Sequence, residues 1–96
     1  MQIKDLKINN PFISAPLSGV TDYPFRMMIR KFSKNALIFS EMISADLIIQ
    51  KHIKTLKMFA PDELEKPIGV QIVGNNPQKM ADAAKICQDK GAAVID

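Results

Sequence analysis

At 96 residues the chain has room for one domain, and a 47% hydrophobic share is that of an ordinary globular core. A single cysteine, Cys87, excludes an internal disulfide and a cysteine-cluster zinc site, while a net charge of +3 chooses no partner class. No apolar run approaches the roughly 20 residues needed to span a bilayer. Residues 1–7 alternate charge with aliphatics and do not read as a signal peptide, so the expectation is a soluble cytoplasmic chain without membrane contact.

Lys7-Ile8-Asn9-Asn10-Pro11 is a lead-in whose Asn-Asn-Pro signals a turn. Residues 12–15 (Phe-Ile-Ser-Ala) are too short and apolar for a two-faced surface strand and are predicted to form a strand buried on both sides. Pro16 lacks the N–H that a sheet ladder needs and ends it. Gly19 lets the following loop turn, or approach a ligand closely. Asp22 is a cap for the next helix, and Pro24 suits its first turn. That helix covers about residues 23–32, with Phe25, Met28, Ile29 and Phe32 at helical spacing and Arg26, Arg30 and Lys31 mostly off that face.

Residues 36–39 (Ala-Leu-Ile-Phe) form a second buried run, ending at Ser40-Glu41-Met42. Ser44 caps a second helix reaching Lys51 or His52, with Ala45, Ile48, Ile49 and His52 on one face. Residues 55–59 fit a short strand, a helical turn or an ordered loop, and Pro61, Asp62, Glu63 and Glu65 make the next stretch polar and turn-prone. Residues 68–74 are the third strand. Ile68, Val70 and Ile72 share one face of it; Gly69, Gln71 and Val73 share the other. Asn76 caps a third helix with Pro77 at its first position, Met80, Ala83, Ala84 and Cys87 make its stripe, and Gly91 ends it. Residues 92–96 begin a fourth strand.

The order βαβαβαβ requires parallel strands joined by right-handed crossovers. A doubly wound sheet and part of a (β/α)8 barrel both fit, but no Gly-rich nucleotide loop follows the first strand. A whole barrel takes ~250 residues, so the expectation is a single partial domain over residues 1–96, about three and a half β/α units from the amino-terminal part of a TIM barrel. Open sheet edges would make such a segment self-associate.

Among polar residues near strand ends, Gln71 ranks first. An amide in an apolar strand needs partners, and its donors and acceptor suit a heterocycle with adjacent carbonyl and N–H groups. A neighbouring backbone group or water would satisfy it equally, although Gly69 on the same face leaves space. Glu41 follows the second strand, as a site group or as a salt bridge or cap. His52 has no companion at metal-ligand spacing and is a packed or surface histidine. Cys87 is a small core residue. No nucleophile–base pair can be assembled. Over residues 26–57 seven cations stand against Glu41 and Asp46, either solvated helix faces or a surface for a polyanion such as RNA.

Ala15-Pro16-Leu17-Ser18-Gly19-Val20-Thr21-Asp22-Tyr23-Pro24-Phe25-Arg26 resembles the opening motif of the tRNA-dihydrouridine synthases, Ala-Pro-Met-x-Gly-Val-Thr-Asp-x-Pro-Phe-Arg. Ser40-Glu41-Met42 is similar to that family's Ser-Glu-Met. Val70-Gln71-Ile72-Val73-Gly74-Asn75-Asn76-Pro77, followed by Met80-Ala81-Asp82-Ala83-Ala84, resembles its third-strand motif and helix.

The resemblance implies an FMN-binding barrel that reduces uridine in tRNA to dihydrouridine, with NADPH as reductant and a cysteine as proton donor. It implies that Ala15, Pro16 and Leu17 pack along the flavin by backbone and apolar contact. It also implies that Gln71 bonds the pyrimidine edge of the flavin and that Glu41 supports the site. Leu17 stands where the family commonly has Met, a near volume-conserving change. The family's Asn-x-Gly-Cys-Pro loop, its later phosphate-binding loops and its helical tRNA-binding domain have no counterpart in residues 1–96, and Cys87 does not match the catalytic cysteine. These residues alone are expected to be inactive and to carry no catalytic residue. The alternatives are another FMN-dependent barrel, such as a dihydroorotate-dehydrogenase-like enzyme, and a non-catalytic RNA-binding remnant.

Overall fold

The computed structural model describes residues 1–59 and 63–96. In chain order the elements are β1 (Gln2–Ile3), β2 (Leu6–Lys7), β3 (Ile13–Ser14), α1 (Tyr23–Phe32), β4 (Leu37–Phe39), β5 (Ile43–Ser44) and α2 (Ala45–Ile49). They continue with α3 (Ile53–Met58), a 3-10 turn (Glu63–Glu65), β6 (Ile68–Val70), β7 (Ile72–Val73), α4 (Pro77–Asp89) and β8 (Val94–Ile95). Strands β3, β4, β6 and β8 lie side by side in that order, all parallel. Each strand is the neighbour of the one before it, with no reversal of order. That is the progression of a (β/α)8 barrel rather than of a doubly wound sheet, which reverses at a switch point.

Local chemistry sets the helix starts. The Asp22 carboxylate accepts from the Phe25 N–H at 3.0 Å, and the Asn76 side chain accepts from that of Lys79 at 3.1 Å. Ser44 caps α2 more loosely, at 3.4 Å from the Leu47 nitrogen. Each supplies an acceptor to a backbone donor that the helix itself leaves unpaired. Gly91, at φ 107°, takes the left-handed turn that stops α4.

Two apolar clusters cover the sheet. The larger gathers Ile68, Val70 and Ile72 with Ile48, Ala83 and Cys87, beneath α2 and α4. The smaller sets Leu37 and Phe39 against Ile8, which follows the β1–β2 hairpin. Alternation along β6 thus separates Val70 from Gly69.

Several expectations are corrected. Residues 12–15 are not buried on both sides: only Ile13 and Ser14 pair, and Phe12 is 76% exposed. The β1–β2 hairpin was not anticipated, because two-residue strands leave no periodic signal and Lys4 takes its left-handed turn at φ 49°. The second helix stops at Ile49, since Lys51 adopts φ 54° and breaks the pattern before His52. Residues 53–58 resolve as helix. The run 68–74 divides at Gln71: β6 pairs with β4 and β8, while β7 pairs with β5. The turn-prone pair Pro61 and Asp62 lies outside the described residues.

The largest correction concerns α1. Arg26 and Arg30 are its buried residues, at 3% and 8% exposure, whereas Met28 and Phe32 are exposed. The acceptors that hold the arginines come from segments distant in sequence, so helical periodicity could not announce them.

Candidate functional site at the carboxyl ends of the strands

Parallel register brings four strand ends to one edge. Ser14 pairs with Ile38 and Ile38 with Ile68, while Gly69 pairs with both Phe39 and Val94. The residues that follow are Ala15-Pro16-Leu17 after β3, Ser40-Glu41 after β4, Gln71 after β6 and Asp96 after β8. All leave the sheet at its carboxyl end, where barrel enzymes carry their ligands.

The loop after β3 is fixed from within. The Leu17 carbonyl accepts from the N–H groups of Val20 and Thr21 at 3.0 and 2.9 Å. Its own N–H donates to the Thr21 hydroxyl oxygen at 3.1 Å. Leu17 therefore has its backbone groups engaged, and what it offers outward is its half-exposed side chain. Ala15 is exposed beside it and Pro16 is partly buried. Gly19 sits at φ 74°, where a side chain would be strained, and its N–H donates to Glu41 Oε1 at 2.6 Å. Glu41 thus ties the end of β4 to the β3 loop, a charge-assisted bond of the stronger kind.

Beneath the loop lies a buried polar lock. Thr21 is wholly buried, and its carbonyl accepts from Arg26 at 2.8 Å. Arg26 also meets Glu65 through Nε at 2.9 Å and a terminal nitrogen at 2.8 Å, with both side chains essentially out of water. Arg30 donates to the carbonyls of Lys34 and Ala36 at 2.7 and 2.8 Å, and to those of Glu65 and Pro67 at 2.8 and 3.1 Å. Burial lowers the Arg30 guanidinium pKa from its ordinary value, an effect the Glu65 carboxylate partly offsets. The planar guanidinium can serve several fixed acceptors at once, which a lysine could not. Two of the seven cations counted over residues 26–57 are therefore internal fasteners and do not face a polyanion.

Gln71 is partly exposed, and its amide nitrogen donates to Asp96 Oδ2 at 3.0 Å. The space expected over Gly69 is not open: a Cβ there would collide with the ring of Phe39. His52 is exposed at the start of α3, 3.5 Å from the Thr55 hydroxyl. Cys87 is buried in the larger cluster, and loss of hydration raises its thiol pKa, the nearby Lys90 opposing.

The family model for dihydrouridine synthase matches residues 13–96. The chain belongs to the dihydrouridine synthase family. It is 36% identical over 97 residues to "Probable tRNA-dihydrouridine synthase 1" of Synechocystis sp., all of this chain aligning with 27% of that protein. It is 38% identical over 97 residues to "tRNA-dihydrouridine synthase B" of Pseudomonas syringae pv. tomato, covering 28% of it. A third relative, "Probable tRNA-dihydrouridine synthase" of Rhodobacter capsulatus, is 36% identical, with 30% of its length covered. The chain spans less than a third of the length of these relatives.

In this member of the family the three motifs behind the resemblance follow or end β3, β4 and β6, so they converge on the same edge. Three polar residues of this edge and of the lock beneath it escaped the sequence reasoning. Thr21 lay within a quoted motif, but its hydroxyl bond across four residues was not foreseen. Asp96 was visible as a strand-end carboxylate one register step past Ile95. Glu65 carried no signal, because its partner Arg26 lies 39 residues away.

Proposed function

We propose that residues 1–96 are the amino-terminal part of an FMN-dependent tRNA-dihydrouridine synthase that reduces uridine in tRNA to 5,6-dihydrouridine, with NADPH as reductant, in the cytoplasm. The observation that carries this reading is the convergence of the Ala15-Pro16-Leu17 strip, Glu41 and Gln71 at one edge of a parallel sheet, in a chain whose relatives are named for that activity.

The residues present suit a flavin. Ala15, Pro16 and Leu17 offer an apolar, partly exposed strip for a flat ring, and a loop bonded to itself loses little freedom on binding. Gln71 supplies an amide for the polar pyrimidine edge, and Glu41 holds the Gly19 backbone so that the strip keeps its place. The flavin, when bound, supplies the electron pair that saturates the uracil ring. Proton delivery belongs to a group other than Cys87, whose thiol is 2% exposed within α4. These 96 residues alone therefore make no dihydrouridine, and a helical tRNA-binding domain lies outside them.

The test has two parts. FMN titrated into the full-length protein binds with quenching of its fluorescence, and Gln71→Leu weakens binding about tenfold, as loss of one well-placed hydrogen bond predicts. Residues 1–96 incubated with FMN, NADPH and unmodified tRNA give no product. Unchanged FMN affinity in the variant, or dihydrouridine from the short chain, would overturn the corresponding half. Strands β3 and β8 are the outer strands of the four, and Ile13 on the first and Phe12 just before it are exposed, so the isolated residues also self-associate. A monomer by light scattering would count against that.

A further inference from the structure

Asp96 is tied to both sides of Gln71. Its N–H donates to the Val70 carbonyl and its carbonyl accepts from the Ile72 N–H, each at 2.9 Å. The Gln71 carbonyl in turn accepts from Ile43 at 2.9 Å, so the strand cannot slide past its neighbours. In this frame the Gln71 amide nitrogen lies 3.0 Å from Asp96 Oδ2. An ionised carboxylate has lone pairs and no proton, so of the two ends of an amide only the nitrogen can face it. The other end, Oε1, is then turned outward as an acceptor.

We infer that Asp96 is a positioning residue that fixes the polarity of the Gln71 amide, making this contact select a ring edge that presents an N–H. The inference rests on the flavin reading and deepens it. The imide N–H between the two carbonyls of a flavin's pyrimidine ring has the required donor, and a ring methylated at that nitrogen does not. With the carboxylate removed the amide can rotate, and its nitrogen serves a carbonyl as readily as its oxygen serves an N–H. Asparagine at this position accepts or donates, so it leaves both orientations open.

Flavin fluorescence on the full-length protein tests this with FMN and N3-methyl-FMN. The protein favours FMN about tenfold, the value of roughly one hydrogen bond. That preference shrinks in Asp96→Asn and falls below about threefold in Asp96→Ala. Circular dichroism of both variants stays that of the parent, because Asp96 belongs to neither apolar cluster. Preference undiminished in both variants, with FMN still bound, overturns the positioning role and leaves the flavin reading standing. Failure of the parent protein to bind either flavin overturns both.

Discussion

Helices α1 and α4 are both crossovers of the same sheet, yet they are held in opposite ways. α4 buries Ala83 and Cys87 against Ile68 and Val70, and its interface is apolar. α1 buries two arginines, whose partners are a carboxylate and backbone carbonyls of Thr21 and of residues 33–36 and 65–67. An apolar interface adapts to small losses by partial collapse. A charged one without water does not, because each group depends on the other being present.

The sharpest break of this contrast is in the ion pair. Arg26→Leu or Glu65→Leu alone should cost about 3–5 kcal/mol, since either strands a buried charge. The double variant should cost far less than the sum, and a denaturant series on all three checks it. Additive losses would mean that the pair is not the unit that holds α1. Next comes Gly69→Ala, which should cost about 1–3 kcal/mol because the new methyl meets the Phe39 ring. Adding Phe39→Leu should relieve part of that cost, and a double-mutant cycle measures the relief.

The smallest effect belongs to the apolar side. Burial holds the Cys87 thiol pKa above its ordinary value, so the unfolded chain loses this proton first as pH rises. The associated stability is complete below the ordinary thiol pKa and is lost as pH climbs through the raised one. Cys87→Ala should cost about 1 kcal/mol at neutral pH and flatten the alkaline decline, read from unfolding midpoints between pH 7 and 10. An unchanged alkaline slope would assign the decline to other groups.

The same contrast explains what could be read from the chain. The stripe on α4 was legible because apolar spacing was all that held it, and the caps at Asp22, Ser44 and Asn76 were legible because capping is decided within three residues. Strand parity likewise put Gln71 and Val70 on different faces. The burial of Arg26 and Arg30 was not legible, for it depends on acceptors that only the folded chain brings near. Nor was the occupant of the Gly69 gap, since nothing local says that an aromatic ring from the adjacent strand fills it. At the site, positions along strands could be inferred, whereas bonds between strand ends, such as Gly19 to Glu41 and Gln71 to Asp96, required the register.

The short hairpin at the start of the chain has a consequence for hydration. Ile8, secured by reciprocal backbone bonds with Met1, sits on Leu37 and Phe39 of β4. It keeps water from both ends of β4, since Leu37 opens that strand and Phe39 closes it. Clipping those first eight residues would bare Leu37 and Phe39 to water.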